Sequence, residues 1–493
     1  MRKFQVLFIY PDLSTDIINF SPAIQLLSAV LKQEGCDVNA IHINNEFGTA
    51  YDKETILELA NGYNLFALTS TSFNYRYANE IAGWLKEKYP HVLRILGGSH
   101  ATIQPEDFEA SNFDIFCVGE GEDPMTELTH AIQWGLDWTK IPNLITRFGR
   151  NPVRGFTKDL DRLPCWDFSV LDTKKILEAR NGWLSISFSR GCPYECTFCI
   201  NHLYKKIEMG PGDKMSDYLR RRSPENAILE LELLVAQYPI RFFNIDDDLL
   251  TMNKPWMVKF TQLYKERIYE PFGIKYVINA RADTLDENTV ECLVESGCRE
   301  ARIGFETGNE ELRNQLLQKH ASNEGLERAF SMLRKYGVMG VAFAMIGLPG
   351  ESAETFLDTV DMTIKLRPGL IRMTFLFPYK HTRIYDICVE KGLFKTDEIG
   401  DNRDYSSPLR FDNISDQQLF CYRFLFPWYV NAIWFEDLSY ANALMEFTQL
   451  ELFELEASVP AIIERDKELS SNCKTSHYRY YSNNPYYFEL YEN

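Results

Sequence analysis

Apolar and polar positions alternate along the first part of the chain in two rhythms. Short runs rich in β-branched and aromatic residues, "FQVLFIY", "DVNAIHI", "NLFALTSTS", "VLRILGG" and "FDIFCVGEGE", read as buried strands. Amphipathic stretches separate them: "PAIQLLSAVLKQEG", "KETILELANGY", "NYRYANEIAGWLKEKYP" and "PMTELTHAIQW". This order predicts parallel βαβ units, hence an α/β domain over residues 1–135 with a doubly wound, flavodoxin/Rossmann-like parallel sheet. Residues 136–182 read as a linker, with a hairpin at "RFGRNPVRG" and a proline-restricted extended segment at "DLDRLPCWDF". A second series begins at 183. Its strand runs are "WLSISFS", "IRFFNID", "IKYVINA", "EARIGFE", "GVAFAMIG" and "LIRMTFLF", with amphipathic stretches such as "NEGLERAFSMLRKYG" in the gaps. Six such units predict a partial (β/α)6 barrel over 183–385. From 386 to 493 the period is helical, ending in "SHYRYYSNNPYYFELYEN", which predicts a small helical C-terminal region with a poorly ordered or docked end.

Composition narrows the function classes. A chain of 493 residues exceeds one hydrophobic core, so several domains are expected. The net charge of −18 argues against nucleic acid as a partner, because phosphate contacts need clustered Lys and Arg. The one dense basic run, "YLRRRS" at Arg220–Arg222, reads as a solvated loop rather than an anion-binding patch. The opening "MRKFQVLFIYPD" reads as a first buried strand and not a signal peptide, since its short apolar run stops at Pro11-Asp12. No apolar run reaches the ~18 residues of a membrane helix. Eleven cysteines, odd in number and mostly scattered, do not form a disulfide framework and point to a reducing, cytoplasmic location. Cys36, Cys117, Cys165, Cys292, Cys298, Cys388, Cys421 and Cys473 read as small buried hydrophobes.

Candidate chemistry lies at the strand ends. Open parallel sheets bind ligands there. In the first series those ends carry Ser70, Thr71 and Ser72, then Gly97, Gly98 and Ser99, then Gly119, Glu120, Gly121 and Glu122. Any one is an ordinary tight turn; three in succession favour a ligand cleft. In a βα barrel the active site likewise sits on the loops after the strands. The loop after the first barrel strand holds Cys192, Cys196 and Cys199, spaced C-x3-C-x2-C, with His202 three residues on. Two metal readings fit this spacing. One is a Cys3His zinc site. The other is a [4Fe–4S] cluster held by three thiolates, which leaves one iron open for a substrate group. An active-face loop suits the open cluster better.

The segment "CPYECTFC" resembles the signature loop of radical S-adenosylmethionine (SAM) enzymes, including its aromatics Tyr194 and Phe198. That resemblance implies a [4Fe–4S] cluster on Cys192, Cys196 and Cys199 whose open iron chelates SAM. It places Phe198 near the adenine, Asp246 and Asp247 of "FFNIDDDLLT" on the SAM amino group, and Glu306 of "GFETG" on the ribose. Arg281 of "NARAD" would meet the SAM carboxylate or form a rim salt bridge. Gly347 of "IGLPGE" would lie in the turn near adenine, and Asp248 reads as a helix cap.

The preceding domain, with "GGSHAT" and "GEGE" and a "DLDRLP" linker, resembles the cobalamin-dependent branch of that family. The residues at the three strand ends, from Ser70 to Glu122, would then contact cobalamin. The D-x-H-x-x-G motif is absent, which implies base-off cobalamin, with His100 as a polar wall residue. At "FPYKHTRIY" the chain has Lys380-His381 where relatives have Pro-Gly, a departure at the substrate wall. Trp428, Tyr429 and Trp434 would either cap the active face or pack helices onto the barrel.

The implied function is methylation of an unactivated carbon of a small-molecule or natural-product substrate. A substrate radical made by the 5′-deoxyadenosyl radical would receive a methyl group from methylcobalamin. The implied partner is an electron donor such as flavodoxin or ferredoxin. The alternatives are a cobalamin-dependent radical SAM cyclase, ring-contraction or oxidative rearrangement enzyme and, from another class, a zinc-stabilised α/β binding protein.

Overall fold

A computed structural model describes residues 3–13, 18–396, 406–471, 477–480 and 487–491. The chain divides into two compact units that interleave in sequence. The first comprises residues 1–193, 200–248 and 266–274; the second comprises 194–199, 249–265 and 275–493.

The first unit is built on a seven-stranded sheet. Its strands are β1 (Gln5–Pro11), β2 (Asp37–Ile43), β3 (Leu65–Thr69), β4 (Leu93–Gly97), β5 (Ile115–Cys117), β6 (Leu144–Thr146) and β7 (Gly149–Arg150). They lie in the order β2-β1-β3-β4-β5-β6-β7. Strands β1 to β5 are parallel. The order 2-1-3-4-5 is the flavodoxin-type arrangement, with its crevice at the strand carboxyl ends. The hairpin expected in the linker extends this sheet, because β6 pairs antiparallel with β5 and β7 with β6. Central strands buried on both faces need near-continuous apolar runs. Ile9, Leu65, Phe66, Leu96, Ile115 and Phe116 fill that role at 2 % exposure or less. The helices Lys53–Leu59 and Tyr75–Lys88 add Ile56, Ala78, Ile81, Ala82 and Leu85 to one face of the core. Asp52 caps the first of them by accepting from Thr55 N at 2.8 Å.

The same unit carries β8 (Trp183–Ile186), β9 (Ser189–Arg190), β10 (Arg220–Arg221) and β11 (Phe242–Ile245). Strands β8 and β11 pair in parallel, and β9 and β10 pair antiparallel with Arg190 opposite Arg220. The "YLRRRS" run is therefore not a solvated loop: Arg220 and Arg222 are 5 % and 3 % exposed. Carboxylates explain the burial. Arg222 has Glu230 at 3.7 Å and donates to Pro164 O at 2.6 Å, while Arg220 pairs with Glu120.

The second unit holds β12 (Lys275–Ala280), β13 (Cys298–Glu306), β14 (Met339–Ile346) and β15 (Leu370–Phe375), parallel and consecutive. With β8 and β11, all six expected barrel strands are present. The Tyr-rich tail is docked: β16 (His477–Tyr480) and β17 (Tyr487–Tyr491) form an antiparallel pair, and β17 adds to β15. Cys473 and the rest of the tail lie outside the described residues.

Five helices, from Asp416 to Ser471, precede the tail. Trp428 is fully buried and donates to Asp466 at 2.7 Å, while Asn431 exchanges two hydrogen bonds with Tyr478. Tyr429 packs edge-on to Phe356, and Trp434 receives Arg367 over its ring. These aromatics hold helices and tail together, which is the packing alternative of the sequence reading.

Candidate functional site

The first unit contains a cavity of about 480 Å3 at the carboxyl ends of β3, β4 and β5. Gly97, Gly98, Ser99, Gly119, Glu120, Gly121 and Glu122 line it, as their position after the strands predicts. Gly98 has φ +89, and a Cβ there would stand 2.6 Å from Thr69 Oγ1 and 2.9 Å from Ser70 O, so no side chain is accommodated. The "STS" residues are placed differently. Strand β3 ends at Thr69, and Thr69 lines the cavity. Ser70 turns its hydroxyl onto Thr71 O at 2.6 Å, Thr71 is exposed, and Ser72 accepts from Gln104 at 2.8 Å. His100 is not a wall residue: it is buried, stacked on Tyr75 at 3.7 Å, with Asp107 3.3 Å from its Nε2.

The cavity's opposite surface is polar. The β9–β10 register sets two guanidiniums side by side, a repulsive pairing unless compensated. Glu120 and Glu122 compensate it. Glu120 meets Arg190 at 2.7 Å and Arg220 at 2.6 Å, and accepts from Thr157 N at 2.7 Å. Burial would raise its carboxyl, but the two arginines outweigh that and hold it at about 2. Glu122 meets Arg190 at 2.5 Å, and its other oxygen is buried without a hydrogen-bond donor. The helix Asn201–Glu208 turns Asn201, Tyr204 and Glu208 onto the cavity, three residues spaced for one helix face. Burial, then the neighbouring Glu120, push the Glu208 carboxyl up to about 7, and Arg220 at 3.6 Å works against them.

The three aspartates after β11 separate into different roles. Asp246 lines the cavity and is oriented by Asn244 Nδ2 at 2.7 and 2.8 Å. Asp247 is fully buried and accepts from Phe188 N at 3.2 and 3.3 Å and from the Ser189 hydroxyl. Burial raises its carboxyl to about 6 against those bonds. It ties the end of β8 to the end of β11. Asp248 also lines the cavity, and the helical turn that follows starts from Leu249, so it is not the helix cap expected of it. Burial raises its carboxyl and a bond from Asn201 opposes.

In the second unit the segment Tyr194–Cys199 is clamped from two sides. Arg281 stacks on the Tyr194 ring at 3.6 Å, and Tyr194 donates to Asp283 at 3.0 Å. Thr197 donates its N–H to Leu317 O at 3.0 Å and its hydroxyl to Leu316 O at 2.8 Å. Phe198 packs on the cluster of Leu317, Leu348 and Leu376. Arg281 is itself buried and engaged with Asp283 at 3.0 Å and Lys319 O at 2.7 Å, so the structure forms the salt bridge of its two expected alternatives. Glu306 ends β13 with φ +66 and pairs with Lys319 at 2.8 Å. Gly347 has φ +80; its N–H and that of Leu348 donate to the Glu351 carboxylate, which burial pushes up to about 7 against both bonds. Lys380 and His381 lead into the helix Arg383–Glu390, capped by Thr382; His381 is exposed.

Cys192 belongs to the first unit, Cys196 and Cys199 to the second, with a turn from Cys199 N to Cys196 O at 3.0 Å. Cys36, Cys117, Cys298, Cys388 and Cys421 are buried as expected; Cys165 and Cys292 are half-buried. Among the described residues no three Cys, His, Asp or Glu side chains stand grouped as a metal site, and the three-thiolate set is read from its C-x3-C-x2-C spacing. Those thiols suit iron–sulfur ligation, and the glycine cradle with Ile24, Leu27 and Met125 suits the face of a large macrocycle.

Sequence reasoning missed Lys319, Glu208 and the cavity role of Asp248. The polar face of "NHLYKKIE" was the available signal for Glu208; Lys319 sits in no motif.

Comparison with known proteins agrees with this arrangement. Residues 186–363 match the Radical SAM superfamily and residues 19–129 match the B12 binding domain. The chain is 25% identical over 338 residues to an uncharacterized methyltransferase of Pyrococcus horikoshii, covering 67% of this chain and 71% of the relative. It is 27% identical over 320 residues to the anaerobic magnesium-protoporphyrin IX monomethyl ester cyclase of Rubrivivax gelatinosus, covering 62% of this chain and 55% of the cyclase. The fold is similar to the radical S-adenosylmethionine methyltransferase TsrM of Kitasatospora setae, with TM-score 0.65, 20% identity, and 83% and 80% of the two chains covered. It is also similar to the cobalamin-dependent S-adenosylmethionine radical enzyme OxsB, with TM-score 0.68, 14% identity, and 95% and 75% covered.

Fold and domain content together define an enzyme of radical chemistry that carries a B12-binding domain. The chain carries a Radical SAM domain and a B12 binding domain, and it is cobalamin-dependent radical SAM methyltransferase-like. Its cofactors are a [4Fe–4S] cluster, SAM and cobalamin, and the zinc-binding alternative is less favoured.

Proposed function

We propose that the protein transfers a methyl group to an unactivated carbon of a small molecule. One observation carries this reading. The glycine ends of the B12-binding sheet line the same cavity as Asp246, Asp248 and Gly191, which come from the radical SAM segment. Gly191 immediately precedes Cys192. Residues of both domains on one cavity are what proximity of two reacting groups would require for transfer to a short-lived radical. When bound, the cluster with SAM supplies hydrogen abstraction, and cobalamin supplies the methyl group.

The residues of this chain bind and orient. Cys192, Cys196 and Cys199 hold the cluster. Asp246, fixed by Asn244, accepts from the SAM ammonium, and Asp247 holds the strand ends beneath it rather than contacting SAM. Glu306 faces the ribose, and Phe198 and Gly347 border the adenine. Arg281 acts by clamping Tyr194 instead of meeting the SAM carboxylate. Thr69, Gly97, Gly98, Ser99 and Gly119–Glu122 border the cobalamin. Reducing equivalents come from a low-potential donor such as flavodoxin or ferredoxin, in the cytoplasm, where thiols stay reduced. Among the described residues no helix is long and apolar enough to cross a membrane.

The test is anaerobic reconstitution with cobalamin, SAM and reductant. Formation of 5′-deoxyadenosine and S-adenosylhomocysteine together supports methyl transfer. The cyclase relative favours a second reading, cyclisation or rearrangement, and 5′-deoxyadenosine without S-adenosylhomocysteine would select it.

A further inference from the structure

Beside the cysteine segment, the second unit spends backbone strain on one buried ion pair. Glu306, Gln318 and His320 all have positive φ, at +66, +50 and +52. Non-glycine residues in this region are strained and persist only where the surroundings over-determine them. The surroundings here are specific. Arg313 is fully buried and donates to Thr307 O at 2.5 Å and Ala321 O at 3.0 Å, pinning the chain just after Glu306 and just after His320. Arg281 donates to Lys319 O at 2.7 Å. Gly304 leaves the room: a Cβ there would stand 2.1 Å from Glu306 Oε1 and 2.8 Å from Lys319 Nζ. The product is Lys319 Nζ 2.8 Å from Glu306 Oε1, with both side chains largely buried.

The pair sits against the cysteine segment. Lys319 Nζ is 5.9 Å from the centroid of Phe198, the residue before Cys199. Leu316 and Leu317, just before Lys319, are bonded to Thr197, the residue after Cys196. The carboxylate of Glu306 fixes the Lys319 ammonium at this position.

We propose that Lys319 is a positioning residue for charge: an ammonium held in place by Glu306 that raises the reduction potential of the cluster on Cys196 and its partner cysteines. This rests on the radical SAM assignment. Net charge around an iron–sulfur cluster is one of the terms that sets its potential, and reduction adds one negative charge that a fixed cation stabilises. The electron comes from an external low-potential one-electron donor.

The experiment is a dithionite titration of the reconstituted full-length protein, without SAM, followed by the EPR signal of the reduced cluster. Lys319→Met is expected to raise the oxidised-to-reduced ratio about tenfold at the wild-type midpoint, a shift of about 59 mV to more negative potential for a one-electron couple. Glu306→Gln, which removes the opposing charge, is expected to shift it the other way. Lys319→Arg is expected to stay near wild type. An unchanged midpoint in a cluster-loaded Lys319→Met protein overturns the proposal, as does an equal shift in the Met and Arg variants. Should Lys319→Met not load a cluster, the sign of the Glu306→Gln shift decides: positive supports, zero or negative overturns. Wild-type protein without an iron–sulfur signal would instead sink the radical SAM reading itself.

Discussion

The cavity of the first unit and the cysteine segment of the second solve opposite electrostatic problems. The cavity is rich in carboxyls: Glu120, Glu122, Glu208, Asp246 and Asp248 all line it, and Arg190 and Arg220 neutralise only the first two closely. The cysteine segment is bordered by buried cations, Lys319 and Arg281, each tied to one carboxylate. Three thiolates and a cluster bring negative charge, so cations belong beside them. Under the proposed function the cavity receives a cobalt(III) corrin, whose ring is not anionic, so carboxyls can stay and take part in hydrogen bonding. On that reading the charge sign around each site follows the group the site receives.

The comparison breaks most completely at the cysteines. Cys196→Ala is expected to lose the iron–sulfur absorbance and reduce 5′-deoxyadenosine formation to background, whereas Cys117→Ala, a buried thiol of the cavity wall, keeps its iron. Equal iron loss in both would show that thiol burial and not the C-x3-C-x2-C spacing controls the metal. On the cavity side the largest effect is Arg220→Met, which leaves Glu120 with one of its two guanidiniums. Breaking a buried pair costs about 3–5 kcal/mol, read as a lower denaturant midpoint. Arg328→Ala, which removes an exposed pair with Glu324, is expected to change it by less than about 1 kcal/mol.

These two sites were unequally legible in the sequence. Both strand series were visible, because parallel strands buried on two faces need unbroken apolar runs such as "LFAL" and "YVI". The cysteine spacing and the glycine turns were visible for the same reason: local geometry dictates local residue type. What failed was long-range. The Arg220–Arg222 run reads as solvated until β10 pairs with β9 and brings Glu120 opposite it. Ser70 and Ser72 look like ligand donors until the adjacent Thr71 carbonyl and the Gln104 side chain engage their hydroxyls. The tail reads as polar and aromatic, yet Asn431 and Asp466 supply the bonds that let it extend a sheet. Lys319 carries no local signal, since its partner Glu306 is brought to it by Gly304 and by Arg313.

A smaller effect tests the glycine cradle. Gly98→Ala places a methyl group against Thr69 and the Ser70 backbone in a left-handed conformation. A cost of about 1–3 kcal/mol is expected, confined to the turn. Cobalamin retained after desalting should fall while iron content does not. Loss of both would show that the two sites are not separable.

An effect confined to one pH window separates Glu208 from Glu120. Glu208 has its folded carboxyl raised from 4.5 to about 7, so the folded state holds this proton more tightly than the unfolded chain. Its contribution is fully present below 4.5 and is lost as pH rises through 7, on the order of 1–3 kcal/mol. Glu120 runs the other way: lowered to about 2, it contributes above 4.5 and loses that only as pH falls toward 2. Between pH 5 and 8 Glu120 is therefore constant and Glu208 is not. Thermal midpoints of Glu208→Gln relative to wild type should rise across that window, because the amide has no proton to lose. A flat difference would mean that Glu208 is ionised throughout and that Arg220, shared with Glu120, compensates both carboxylates at once.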